Sequence, residues 1–419
     1  MPASHGRSSM VRPIVSRDGG RRRRLISAAR CRNGSCVTAF DAMLPPCPIL
    51  TGLAQPTGGL MISRNAIRLS LALAAAFAAA CPVWAQGDMP LNDQLNQAFA
   101  AGELAGLHAV YVKHRGETLA EAYFEGSDER WGQPLGDRQL GPEDLHDLRS
   151  VTKSIVGLLY GIALAEGKVP PVDAPLIEQF PEYPDLAADP ERAKITVGDA
   201  LSMTMGTAWN EDVPYTSPEN SEVAMEMAAD RYRFVLDRPM VAAAGETWTY
   251  NGGATALIGK LIADGVGEPI DTYAESHLFR PLGITEFEWI AGADGVPSAA
   301  SGLRLRLRDL VKIGELVLAG GQVDGKQVVP KAWLEASFAP HATTSEGLRY
   351  GYFWWLAPWG DPPAWAAGFG NGGQRLTVQA DHDLIVVVLA GNYNQPDAWK
   401  IPVKIIEGFV VPAVRARAK

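Results

Sequence analysis

Ser150 and Lys153 stand three residues apart in "RSVTKSIVG" (149–157), just ahead of an apolar run. A serine hydroxyl is a weak nucleophile until a neighbour takes its proton. On a helix, positions i and i+3 share a face, so a lysine at that spacing reaches the hydroxyl. Its charge then stabilises the alkoxide, or its amine accepts the proton if its own pKa is lowered. The run over 150–168 is apolar enough to half-bury Lys153, and a lowered lysine pKa is expected there. Ser150 falls at the start of the expected helix, where free N–H groups favour developing negative charge. The same place suits an ordinary N-cap, and Ser150 is expected to be both cap and nucleophile. It is the only Ser-x-x-Lys match in the chain.

Two other stretches carry chemistry. "GETWTYNGGATALIG" (245–259) sets Tyr250, Asn251 and Gly252 at the start of a helix. A tyrosine beside a lysine acts as a general base when the positive charge favours its phenolate. An isolated tyrosine is more often a core aromatic. "WAAGFGNGGQRLTV" (365–378) sets Trp365, Gly368, Gly372 and Gly373 ahead of a strand. Glycines there let a substrate approach the main chain, and one N–H can complete an oxyanion hole. A glycine-rich loop without function is the plain alternative. There is no His-Glu-x-x-His and no Cys/His cluster, so neither a metal nor a cofactor is expected. There is also no Gly-x-Ser-x-Gly elbow and no phosphate-cradling glycine loop.

The elements that must position these residues follow from hydrophobic period. "GLHAVYVKHRGETLAEAYFEG" (106–126) alternates around "HRG" and reads as a hairpin. "QRLTVQADHDLIVVVLAGN" (374–392) gives two strands, the second apolar enough to be central in a sheet. The last segment, 396–417, reads as a helix with Pro402 near its start. Between these ends the pattern is helical: 150–168, with Ile155, Leu158, Leu159 and Ile162 on one face, then 196–206, 221–237, 252–267 and 306–321. A small hairpin turns at Asp324-Gly325. The expected fold is therefore of the α+β class. An antiparallel sheet built from both chain ends is flanked by helices, with a helical region inserted between.

The beginning of the chain is compositionally separate. Residues 61–85 combine Arg64 and Arg68, an apolar run and "VWA", the pattern of a secretory signal with Met61 as a start. Residues 1–60 then read as an upstream or disordered leader, and 86–419 as the functional domain. An exported product, periplasmic or secreted, is expected. "AAAC" (78–81) faintly resembles a lipoprotein signal but lacks the usual leucine, so a soluble product is preferred over a lipid anchor at Cys81. The apolar run is too short for a comfortable membrane span. All four cysteines lie before residue 86, which excludes disulfides and thiol catalysis from the domain. Residues 86–419 hold 27 basic and 45 acidic residues, a net charge of −18 that disfavours nucleic acid or an anionic membrane as partner.

In order along the chain, "SVTKS", "YNGG" and "GFGNGGQRL" leading into "DLIVVVLAGN" resemble the serine β-lactamase/penicillin-binding superfamily, in its class C-like branch. The resemblance runs over about residues 100–415. It is similar especially to 6-aminohexanoate-dimer hydrolases and family VIII-type esterases. It implies an acyl-enzyme on Ser150, with Lys153 and Tyr250 moving the proton and the N–H groups of Ser150 and of a residue near Gly368 holding the oxyanion. Gly252 departs from the family's Tyr-x-Asn, and "WAAG" (365–368) stands where a Lys-Thr-Gly element is expected. Without that lysine, an ester or short amide is the expected small-molecule substrate. Action on anionic β-lactams or D-Ala-D-Ala-type peptides is the second reading, and a non-catalytic penicillin-binding-like sensor the third. The sequence leaves the oligomeric state open.

Overall fold

The computed structural model describes residues 89–358 and 364–417. The leader and the signal-like segment, with all four cysteines, lie outside the described residues. The described residues open with helix α1 (Leu91–Ala100) and then the hairpin β1 (Leu107–His114) and β2 (Glu117–Tyr123). The hairpin turn is Arg115-Gly116, both at positive φ (50° and 78°), as a tight primed turn demands. Strands β3 (Glu125–Arg130) and β4 (Gln133–Gln139) make a second hairpin. A small sheet joins β5 (His146–Asp147), β6 (Glu288–Trp289) and β7 (Leu303–Leu305) in the order β5-β7-β6. The short hairpin β8 (Gln322–Val323) and β9 (Lys326–Gln327) turns at Asp324-Gly325 as the sequence predicts.

The main sheet has eight strands. Its late members are β10 (Ala342–Thr343), β11 (Arg349–Tyr350), β12 (Trp355–Pro358), β13 (Ala364–Gly370), β14 (Gln374–Gln379) and β15 (Leu384–Ala390). The order is β10-β11-β12-β13-β14-β15-β1-β2, antiparallel throughout. The two chain ends thus meet where β15 pairs with β1, as the sequence predicts. The uniform apolarity of β15 follows from burial on both faces. Ile385, Val387 and Leu389 face the large helical core, while Leu384, Val386 and Val388 face a second core with α1 and the C-terminal helical segment.

Helix α2 (Val151–Ala165) carries the Ser-x-x-Lys segment. It differs from the one-faced helix expected from the sequence: Val151 to Ala163 are buried on every side. Glycines let it sink that deep. Trp333 lies where a Cβ on Gly161 would be, and its Nε1 donates to Gly157 O at 2.8 Å. The expected helix over 221–237 is two helices, α4 (Ser221–Glu226) and α5 (Arg231–Leu236), preceded by a short α3 (Val197–Leu201). Asp230 causes the break, because its side chain caps a new start by accepting from Arg233 N at 2.9 Å. Helices α6 (Gly252–Val266) and α7 (Leu307–Leu318) occupy their expected places, and Gly267 closes α6 in the left-handed conformation at φ 81°. Among the described residues no helix is long and apolar enough to cross a membrane.

Candidate active site

Ser150 sits at the junction of β5 and α2, held by the residue before it. Arg149 has φ 49°, an uncommon conformation for a residue with a side chain. Its buried guanidinium pairs with Glu129 and with Asp147, Nε to Oδ2 at 3.0 Å, and lies 4.8 Å from the centre of the Tyr393 ring. Asp147 is in turn paired with Arg304 at 2.7 Å and accepts from Trp131 N at 2.6 Å. This network fixes the backbone from which the first turn of α2 starts. Within that turn, Thr152 Oγ1 accepts from Leu303 N at 3.2 Å and Ser154 Oγ donates to Phe353 O at 2.7 Å. The turn is therefore tied to β7 on one side and to the approach to β12 on the other.

Ser150 does not use its hydroxyl as a helix cap, contrary to the sequence expectation. The reason is a stronger local partner: Lys153 Nζ donates to Ser150 Oγ at 3.0 Å. Lys153 is buried and also donates to Ala300 O at 3.0 Å and Glu222 Oε2 at 3.2 Å. The expected lowering of its pKa is overturned. Burial does oppose the charge, but the Glu222 carboxylate and neighbouring acidic groups outweigh it and raise the pKa above the ordinary lysine value. Lys153 is a held cation, not a poised amine.

Tyr250 completes the cluster. Lys153 Nζ lies 5.0 Å from the centre of its ring, and Ser150 lies close enough to its phenol to favour the ionised form. Burial raises the phenol pKa, Lys153 opposes that rise, and Glu211 adds to it. The net direction is upward, so the resting group is a phenol. Asn251, expected as a site neighbour, caps α6 by accepting from Ala254 N at 3.0 Å. Gly252 faces Glu222: a Cβ there would overlap the Glu222 carboxylate. Glycine at that place therefore makes room for the counter-ion of Lys153.

The glycines of 365–373 are not a loop ahead of a strand. Residues 364–370 are themselves β13, and Asn371 to Gly373 form the turn into β14. Gly368 lies against the first turn of α2, where a Cβ would sit 3.0 Å from Val151 Cγ1 and 3.1 Å from Ser154 Oγ. This places the strand against the helix start that carries Ser150. Gly372 and Gly373, at φ 93° and 99°, answer to the turn and to packing against Tyr393 and Ala390. Trp365 is buried on the wall of a cavity of about 860 Å³ that also holds Tyr250, Trp209, Trp248, Trp355 and Phe369.

Three site residues carry no sequence signal of their own: Glu222, Glu211 and Arg375. Glu222 comes from α4 and accepts from both Lys153 and Ser301 Oγ, the latter at 2.7 Å. Glu211 accepts from Gly252 N, Trp209 Nε1 and Tyr215 Oη, each at 2.6 Å. Arg375 lines the cavity from β14, so the cavity does hold a cation although the expected lysine is missing. Glu222 and Glu211 bond partners 41 to 79 residues away, which local spacing does not encode, whereas Arg375 takes its place from the β13–β14 register.

Burial, and then the adjacent Glu222 charge, push Glu211 up to about 7. Its folded pKa lies above its unfolded one, so between roughly pH 4.5 and 7 the native state binds more protons than the unfolded chain. Its contribution to stability therefore falls as pH rises through that window and levels off above it. Glu211→Gln keeps an acceptor for the Gly252 and Trp209 bonds and removes this titration. Denaturant melts from pH 4.5 to 8 are expected to show a smaller loss of stability in the variant than in the wild type.

Comparisons with known proteins bear on the family and the fold. The beta-lactamase family model matches residues 93–398. A 6-aminohexanoate-dimer hydrolase from Paenarthrobacter ureafaciens is 27% identical over 316 residues, 69% of this chain and 73% of that protein. Esterase EstB from Burkholderia gladioli is 24% identical over 240 residues, 53% of this chain and 58% of that protein, so the match spans little more than half of the esterase. Among solved structures, a class C beta-lactamase mutant aligns with a TM-score of 0.56 at 15% identity, over 76% of this chain and 96% of that one, and shares the fold. The matched family model covers both ends of the main sheet and the whole Ser150–Lys153–Tyr250 cluster: this chain belongs to the beta-lactamase family.

Proposed function

We propose that the protein is an exported serine hydrolase that cleaves a small ester or short amide through an acyl-enzyme on Ser150. The observation that carries this reading is the Lys153 Nζ to Ser150 Oγ bond of 3.0 Å, with Tyr250 against the same two groups. Ser150 Oγ attacks the substrate carbonyl carbon while its proton passes to the Tyr250 oxygen, phenolate in the reactive form. The Lys153 charge stabilises that phenolate and the attacking oxygen. Main-chain N–H groups at Ser150 and beside Gly368 face the developing oxyanion. Tyr250 then returns the proton to the departing alcohol or amine. Water attacks the acyl carbonyl, yielding the carboxylic acid and free Ser150. Export rests on the signal-like residues 61–85.

Steady-state turnover of a p-nitrophenyl ester, a p-nitroanilide and nitrocefin, by wild type and by Ser150→Ala, tests this reading. The wild type is expected to turn over the ester or the anilide faster than nitrocefin, and the alanine variant to lose that activity with an unchanged melting curve. Nitrocefin as the best substrate would favour a β-lactamase. Acylation without turnover would favour a sensor, and full activity in Ser150→Ala would sink the assignment.

A further inference from the structure

Just ahead of Ser150 along the chain, β5 enters a second polar cluster that the proton path does not use. His108 comes from β1, Asp128 from β3, His146 from β5 and Tyr393 from the segment after β15. All four are buried, the two imidazoles completely. One donor atom from each of His108, Asp128 and His146 lies within 4.8 Å of the other two. His108 Nδ1 is 2.9 Å from His146 Nε2, and Asp128 Oδ1 is 3.8 Å from that same nitrogen. Tyr393 Oη is 3.5 Å from His146 Nε2 and 3.4 Å from Asp128 Oδ1. These separations bracket about 3.3 Å, the edge of a tetrahedron of ligands bound at ~2.0 Å.

The two imidazoles are not both satisfied as neutral rings. His146 Nδ1 lies 3.0 Å from Asp147 O, a carbonyl that only accepts, so the proton sits there and Nε2 presents a lone pair. When His108 donates from Nδ1 to that lone pair, its own Nε2 is left bare, and that atom has no hydrogen-bond partner among the described residues. Backbone walls it in. A Cβ on Gly126 would sit 2.6 Å from it, and one on Gly391 would sit 2.4 Å from it and 2.5 Å from Ser127 O. Ser127 lies close enough to favour a proton on this ring. With the His108 proton on Nε2, two lone pairs face each other across 2.9 Å. A cation between the inner nitrogens removes that conflict. A proton does not supply it at neutral pH, because burial and then the neighbouring His146 hold His108 down at about 4.

The outer contacts match a metal-ligand set. A metal-bound imidazole normally gives its other N–H to a carbonyl or carboxylate. His146 has Asp147 O in that place, and Arg138 Nη1 holds the outer Asp128 oxygen at 3.2 Å. Two imidazoles with a carboxylate suit zinc and its neighbours, whereas magnesium and calcium take oxygen ligands.

We propose that His108, His146, Asp128 and Tyr393 form a closed structural site for one divalent transition-metal ion, zinc foremost. The same strand runs on through Asp147 and Arg149 into Ser150, so the ion fixes the base of the candidate active site without touching substrate. The expectation of no metal rested on local spacing, and these donors come from four separate elements.

The test is metal binding and metal-linked stability, neither of which needs a substrate. Protein stripped with dipicolinate and dialysed is titrated with zinc by calorimetry and melted with and without it. The wild type is expected to bind one zinc per chain, and saturating zinc to raise the melting midpoint by roughly 3–8 °C. Magnesium is expected to do neither. His108→Gln and Asp128→Asn are each expected to weaken zinc binding by more than about 100-fold, beyond the size of an outer-shell change. Tyr393→Phe keeps the ring beneath Arg149 and is expected to weaken it by about 10-fold. No zinc binding to the stripped wild type would overturn the proposal. So would full-strength binding in His108→Gln, which would place the ion elsewhere. Should His108→Gln and Asp128→Asn fail to fold, Tyr393→Phe decides instead: weakened binding supports the site, and unchanged binding overturns it.

Discussion

Lys153→Met is expected to remove the activity and to destabilise the fold at the same time. Lys153 is the only recorded cationic partner of Glu222 among the described residues, and both side chains are buried, at 2% and 4% exposure. Methionine fills similar volume but leaves the Glu222 carboxylate with only the Ser301 hydroxyl as a side-chain donor. Breaking a buried pair from one side costs about 3–5 kcal/mol, because the remaining charge is stranded. Turnover is expected to fall on the order of 10³-fold, since Ser150 and Tyr250 lose the charge that favours their deprotonated forms. The paired change Lys153→Met with Glu222→Met separates the two effects. Urea melts should recover most of the lost stability, while ester turnover should stay at the level of the single variant. Recovery of turnover in the pair would show that Lys153 matters only for folding.

Tyr250→Phe is expected to lower kcat by about 10²- to 10⁴-fold, the usual size of a general acid–base contribution. The ring contacts that hold it, to Trp248 at 6.1 Å and Trp355 at 5.8 Å, survive the change, so the melting curve should move little. The pH profile carries the sharper prediction. To accept the Ser150 proton, Tyr250 must itself be deprotonated. Burial raises its pKa above the ordinary phenol value, so at neutral pH the accepting form is a minor one. Lys153, the alternative acceptor, is raised too, with Glu222 outweighing the opposing effect of burial. Both shifts put the productive ionisation on the alkaline side. In the wild type, kcat/KM should climb as pH rises from 6 to 9, and the phenylalanine variant should lose that slope. A wild-type profile that declines above pH 7, or a slope retained in the variant, would contradict this account of the proton path.

Much of this arrangement is legible in the sequence, for physical reasons that differ from residue to residue. The sheet built from both chain ends follows from strand alternation at 107–123 and the unbroken apolar run at 384–390, which only a central strand buried on both faces requires. Ser150 and Lys153 are legible because one helical turn sets their spacing. Tyr250 is legible only by its order along the chain, since it reaches Ser150 from 100 residues away. The errors share a cause. The sequence expectation of a lowered Lys153 pKa considered burial alone, and the expected Ser150 cap considered the helix alone. Glu222 arrives from α4, and nothing local to Lys153 announces it. Gly252 departs from the family's Tyr-x-Asn, and its missing Cβ is the space that the Glu222 carboxylate occupies. The glycines at 372 and 373 satisfied a motif by sequence, but the fold uses them for the β13–β14 turn.

The most direct test of the central claim is covalent labelling read by mass. Full-length protein treated with a fluorophosphonate should gain one adduct per chain, as the phosphorus–oxygen bond to Ser150 forms and fluoride leaves. The adduct should map to the peptide carrying Ser150, and Ser150→Ala should gain none. An adduct on another residue, or ester hydrolysis that persists in Ser150→Ala, would contradict Ser150 as the nucleophile.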